Sequence, residues 1–140
     1  MPIISISKEI ETNGDTDCRN ITPDVENAVK NSGITSGIAT VFVPGSTAGV
    51  TTIEFEDGVV SDLSGALERL IPKDMNYEHN ERWHDGNGFS HVRAAFLGPS
   101  LTVPFADGKL QLGTWQQIVL LDFDNRKRTR RYLINIMGDK

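Results

Sequence analysis

The chain has 140 residues and a mass of 15.4 kDa, with 38% hydrophobic and 24% charged residues, a size and balance that suit one domain with one core and exclude a two-domain enzyme. Fourteen Lys plus Arg against nineteen Asp plus Glu leave a net charge of −5, so long-range electrostatics repel polyanions and nucleic acid is not an expected partner. No run of about 18 apolar residues is present, no basic and apolar leader opens the chain, and the single Cys18 excludes an internal disulfide and a multi-cysteine zinc site; the expectation is a cytoplasmic protein with no membrane partner.

Residues 3–10 alternate apolar and polar from Ile4 onward, the period of a strand with one buried face. Asn13-Gly14-Asp15 reads as a turn. Thr22-Pro23-Asp24 then supplies a capping hydroxyl, a proline preset for helix and an acid at the positive helix end. A helix is predicted from Pro23 to about Ser32, with Val25, Ala28 and Val29 inward and Ser32-Gly33 as its stop. Ile34 to Val43 follows as a β-branched strand, the small residues of Val43 to Gly49 form a tight loop, and Val50 to Phe55 resumes the β pattern.

A second helix fits residues 58–71, where Val60, Leu63, Leu67, Leu70 and Ile71 recur at helical spacing and Pro72 ends the run. Residues 73–88 are the most polar stretch and predict a long functional loop. Beyond it, strands are predicted at Phe89 to Leu97, Ser100 to Pro104, Lys109 to Leu112, Trp115 to Asp124 and Thr129 to Met137. The fold class is therefore α+β over residues 1–140: one domain, mainly antiparallel sheet, with two packed helices.

His79, His84 and His91 are clustered, with Glu78, Glu81 and Asp85 among them, and imidazole nitrogens with a carboxylate behind them suit zinc and similar ions. The spacing is not that of a helical metalloprotease site, and a solvated polar loop is the plainer reading of the spacing alone. Gly45 to Gly49 offers open backbone N–H groups and the hydroxyls of Ser46 and Thr47 to an oxyanion, yet no phosphate-loop lysine follows. Trp115 is either a core plug or a stacking surface, the core reading leading. The basic run Arg126 to Arg131 is a phosphate-binding tip or, more plainly, a hairpin whose charges face water. Asp57 is a candidate N-cap with Glu56 favouring the dipole, which leaves Glu54 and Asp62 without a local explanation.

The order of these stretches resembles the YjbQ family, small proteins described as secondary thiamine-phosphate synthases. Val41-Phe42-Val43-Pro44 leads into Ser46-Thr47-Ala48; Glu54, Asp62, Asn76-Tyr77-Glu78-His79, Ser90-His91-Val92-Arg93 and Gly98-Pro99-Ser100-Leu101 follow; and Gly108-Lys109-Leu110-Gln111-Leu112-Gly113-Thr114-Trp115-Gln116 precedes Arg130-Arg131 and Gly138. The resemblance implies an antiparallel α+β fold, a homotrimer and a divalent metal, zinc ahead of magnesium or manganese, at a histidine site. It also implies a reaction joining a pyrimidine that bears a diphosphate to a thiazole phosphate, with release of pyrophosphate.

On that reading His79, His91 and His84 are the metal set, His84 standing in for a family histidine whose position here is Gly45. His79 and His91 are also the catalytic candidates, together with Glu54 or Asp62 to orient a histidine or the substrate amine. Ser46, Thr47 and Arg93 are candidate phosphate contacts, and Trp115 the ring-packing surface. The expected partners are a small phosphorylated molecule and further copies of the chain. A trimeric metal- or ligand-binding protein without turnover is the alternative, and an RNA module using the basic tip ranks last.

Overall fold

The computed structural model describes residues 2–140. In chain order it contains β1 (Ile3–Thr12), β2 (Asp17–Asn20), α1 (Thr22–Ser32), β3 (Ser36–Phe42), β4 (Ala48–Glu54), α2 (Asp57–Leu70), α3 (Glu78–Trp83), α4 (Gly88–Leu97), β5 (Ser100–Ala106), β6 (Lys109–Leu110), β7 (Gln116–Asp122) and β8 (Arg128–Asp139). All strand pairs are antiparallel, in a five-stranded sheet ordered β1-β8-β3-β5-β6 and a three-stranded sheet ordered β2-β7-β4. The α+β class therefore holds.

Two cores explain the layering. Ile134, Ile136 and Val41 of the large sheet pack with Val25 and Val29 of α1 and with Ile118 and Leu120 of β7. The alternate β7 residues, Val119 and Leu121, face the other way and join Leu67, Phe89 and Ala94 from α2 and α4. Strand β7 is thus covered on both faces, which is why its Ile-Val-Leu-Leu run does not alternate. The layers are the large sheet, the small sheet and then α2 with α4, while α1 packs into the core shared by the two sheets. Among the described residues nothing covers the outer face of the large sheet, where register aligns Met137, Ile38 and Pro104 in one row and Asn135, Thr40 and Thr102 in the next, two rows without a charge.

Helix α1 buries Val25, Ala28 and Val29 and stops at Gly33 in the left-handed region, as its sequence predicts. Its start differs. Ile21 holds the capping position, while the Thr22 hydroxyl crosses to β7 and accepts the Ile118 N–H at 2.7 Å. In α2 the cap is Glu56 rather than Asp57, its carboxylate accepting the N–H groups of Gly58 and Val59, and Leu70 turns outward to 74% exposure.

The larger corrections concern residues 73–97. Six residues of the polar segment coil into α3, and the predicted strand Phe89 to Leu97 is helix α4, so four helices pack on the sheets rather than two. The buried members of α4 are Gly88, Phe89, Ser90, Arg93 and Ala94, a helical spacing disguised because one of the inward residues is charged. Lys109–Leu110 and Gln116–Asp122 are shorter than the predicted strands, and Trp115 falls outside β7 at 72% exposure, so it is not a core plug. No helix among the described residues is long and apolar enough to cross a membrane.

Candidate functional site

Helices α3 and α4 carry one histidine each to a common point. The rings of His79 and His91 lie 4.4 Å apart between centroids, tilted by 51°. His79 Nε2 faces the Asp85 carboxylate at 3.1 and 3.2 Å and the Asn87 Oδ1 at 3.0 Å. Both neighbours are acceptors, because Asn87 turns its amide nitrogen to Asp124 Oδ1 at 3.3 Å. The proton of a neutral His79 therefore resides on Nε2, and Nδ1 keeps its lone pair.

Asp85 sits below the usual carboxylate range: partial desolvation pushes it up, and the hydrogen bonds from His79 and the Asn87 backbone outweigh that push. Burial lowers the pKa of His91, and the neighbouring His79 lowers it further, against the opposite pull of Asp85, Asp124 and the Ser46 backbone. His91 is thus held as the neutral, lone-pair-bearing imidazole over a wider pH range than a free histidine.

Beneath the two rings lies a buried ionic network at the joint of β4, β7 and β8. Arg130, 5% exposed, donates from Nε to Asp122 Oδ2 at 2.7 Å and from Nη2 to Asp122 Oδ1 at 2.8 Å. Its Nη2 also donates to the Thr47 hydroxyl, which donates in turn to Asp124 Oδ2 at 3.1 Å. Arg128 Nη1 reaches the same Asp124 oxygen at 2.7 Å, and the Thr12 hydroxyl donates to Asp122. Burial raises the pKa of Asp122, but the hydrogen bonds from Arg130 and Thr12 prevail and its carboxyl ends below the usual range; Asp124 behaves alike through Asn125, Asn87, Arg128 and Thr47. Each buried acid is matched by one arginine, so the excess charge at the site is that of Asp85.

A sequence model of the YjbQ family, described as UPF0047 protein YjbQ-like, matches residues 7–139. The chain belongs to this family. It is 39% identical over 133 residues to a UPF0047 protein of Methanocaldococcus jannaschii, covering 94% of this chain and 93% of the relative. It is 36% identical over 132 residues to the UPF0047 protein YugU of Bacillus subtilis, covering 93% and 96%. Among solved structures, a YbjQ-like protein of Sulfolobus solfataricus superposes with a TM-score of 0.89 at 31% identity, over 99% of this chain and 100% of that one. A YjbQ/UPF0047 protein of Clostridium acetobutylicum gives 0.87 at 36% identity, over 94% and 99%.

In this YjbQ-family chain the structure gathers His79, His91, Ser46 and Thr47 from the residues singled out in sequence. It disperses the others. His84 is the left-handed C-cap of α3 and lines a separate surface recess with Met75, Tyr77 and Asn80. Arg93 lies two residues beyond His91 and so on the opposite side of α4, 2% exposed, donating to the Ile71 carbonyl at 3.0 Å, Glu68 at 2.7 Å and Thr16 at 3.1 Å. The ladder that pairs Ala48 with Asp122 pairs Glu54 with Gln116, which puts Glu54 and the neighbouring Trp115 about 20 Å from the Thr47 end of the small sheet. Asp62 is exposed on α2.

Of the three acids noted among the histidines, Asp85 is the one that meets His79; the residues that sequence reasoning passed over are Asn87 and the set Asp122, Asp124, Arg128 and Arg130. The last four were legible as a pattern. Two acids at the end of an apolar strand, Leu121-Asp122-Phe123-Asp124, precede two arginines at strand spacing, and that period turns Arg128 and Arg130 to one face, against the expectation that the whole basic run faces water.

Proposed function

We propose that the protein is a metal-associated transferase acting on small phosphorylated molecules, joining a pyrimidine that bears a diphosphate to a thiazole phosphate with release of pyrophosphate. The observation that carries this reading is the imidazole pair His79 and His91 with Asp85 behind one ring. The donor chemistry fits a borderline divalent ion such as zinc: His79 offers Nδ1, with its tautomer set by Asp85 and Asn87, and burial keeps His91 neutral. Among the described residues no three His, Cys, Asp or Glu side chains form a ready-made set; on this reading His79 and His91 supply two ligands, and His84, which caps α3 and lines a separate recess, supplies none.

A divalent ion bound to this pair would supply Lewis-acid charge stabilisation for a departing diphosphate. The chain's own part is positional. Asp85 and Asn87 aim His79, Asp124 ties Asn87 and Thr47 to one point, and the Asp122–Arg130 pair holds the Thr47 hydroxyl under the rings. The partner of this chain is a further copy of itself in a homotrimer, and the two uncharged central rows on the outer face of the large sheet, flanked by Arg131 and Asp139 of β8, support that association.

The test is elemental analysis of untagged protein beside His79→Ala and His91→Ala, followed by a pyrophosphate-release assay with both precursors. Near-stoichiometric metal in the wild type, lost in both folded variants together with turnover, is the expected result. Metal content unchanged by His91→Ala defeats the assignment. One observation favours a binder without turnover: the exposed indole of Trp115 stands at the far end of the small sheet and gives the imidazole pair no aromatic wall. Such a binder takes up one precursor stoichiometrically and releases no pyrophosphate.

A further inference from the structure

Arg130 is a buried cation with one unspent donor. Its Nε and Nη2 hydrogens go to Asp122 and Thr47, and among the described residues no acceptor is within hydrogen-bonding reach of Nη1. Burial without a partner normally penalises such a group, yet no side-chain nitrogen or oxygen among the described residues is both fully enclosed and unpaired. Nη1 therefore reaches open space.

The opening is at Gly45. This residue has φ of +138°, a conformation that L side chains rarely adopt, and a Cβ built on it would stand 3.1 Å from Arg130 Nη1. The missing side chain leaves a notch above the guanidinium edge. The next two residues tie the notch to the imidazole pair: the Ser46 backbone hydrogen-bonds His91, and the Thr47 hydroxyl is held by Arg130 and Asp124. Exposed Ser46 adds a hydroxyl at the rim.

We infer that the Gly45 notch over Arg130 Nη1 is an oxyanion subsite for a phosphate group, lying next to His79 and His91. The remaining guanidinium hydrogens supply a charge-assisted donor in a fixed plane, which suits a phosphoryl oxygen better than a flexible ammonium does. Asp122 and Asp124 do not forbid an anion there, because Arg130 and Arg128 already balance them. The phosphate handle of the ligand is thereby moved from Arg93, sealed on the opposite side of α4, to Arg130. This deepens the proposed function by placing the phosphate of its substrate, and the donor geometry it uses is present without a metal.

The experiment is a titration of inorganic phosphate into chelator-treated and zinc-supplied protein, for wild type, Gly45→Ala and Lys127→Ala, with the Arg130 side-chain Nε–H resonance followed by NMR. The expected result is saturable binding in wild type without zinc, a shift of the Arg130 resonance, at least tenfold weaker binding in Gly45→Ala, and no change in Lys127→Ala. Binding that Lys127→Ala weakens while Arg130 stays unshifted places the anion on the basic tip and overturns the subsite. Binding that requires zinc and is indifferent to Gly45→Ala also overturns it, and leaves the metal reading standing. Should Gly45→Ala fail to fold, the wild-type Arg130 resonance decides alone: a saturable shift supports the notch, and its absence ends it.

Discussion

Gly88 lies so close under Tyr77 that a Cβ added to it would stand 2.6 Å from the Tyr77 Cβ. Tyr77 precedes α3 and Gly88 opens α4, so this contact sets the distance between the two helices that carry His79 and His91. The Gly88 N–H strengthens it by donating to the Asn80 side chain at 2.8 Å.

Gly88→Ala has no room for its methyl group and must push α4 away from α3. Overpacking of this kind costs about 1–3 kcal/mol. The expected outcome is a protein that remains folded with a lower urea midpoint and has lost metal binding without losing either histidine. Full metal content in Gly88→Ala would show that the helix spacing is not what assembles the pair.

Asp122→Ala strands the buried Arg130 guanidinium. Removing one partner of an enclosed ion pair costs about 3–5 kcal/mol, whereas Arg128→Ala removes a group one-third exposed and leaves Asp124 the donors Thr47, Asn87 and the Asn125 N–H, so its loss is smaller. Equilibrium urea unfolding of the two variants measures the difference. Equal losses would mean that the network is held together at Asp124 rather than at the Asp122–Arg130 pair.

Acid acts through the same carboxylate. Asp122 has a folded pKa below that of an unfolded aspartate, so it is still charged in the fold at pH values where the unfolded chain has taken up a proton. Its contribution to stability is complete above about pH 4 and is lost as the pH falls through the lower folded value. Unfolding free energy measured from pH 5 downward should fall more steeply for the wild type than for Asp122→Asn.

A charge placed in the uncharged central rows of the large sheet tests self-association. Thr40 and Thr102 meet there through their hydroxyls at 3.1 Å, at the centre of the aligned rows. Thr40 is half-buried in the single chain and belongs to neither core, so Thr40→Lys should fold with wild-type secondary structure. In sedimentation velocity it should run as a monomer, against the trimer proposed for the wild type. A Thr40→Lys trimer would move the interface elsewhere.

Most strands and the first helix were legible because their signals are local: alternation in β1 and β8, a proline start and a glycine stop in α1; the four-residue β2, Asp17–Asn20, carries no such alternation and was not predicted. Helix α4 was not, because its inward face is built around Arg93, whose partners Glu68, Ile71 and Thr16 come from distant parts of the chain. No local periodicity marks a cation as buried. The site divides in the same way. His79 and His91 stood out by residue type, while Asp122 and Arg130 acquire their meaning only when antiparallel pairing brings β7 and β8 beside the Thr47 loop. The dispersal of Glu54 and Trp115 has a simple cause: a strand of seven residues separates its two ends by more than the reach of any side chain.

The single thiol of the chain sits on β2, opposite Leu121, with its pKa pushed up to about 11 by burial and by the charge of Asp17. At neutral pH Cys18 is therefore held almost wholly as the thiol, which is a poor nucleophile while β2 stays in place. Peeling of that short edge strand restores an ordinary thiol. The chain thus carries an internal clock, in which the rate of alkylation at one atom reports how often the margin of the small sheet opens while the two cores remain closed.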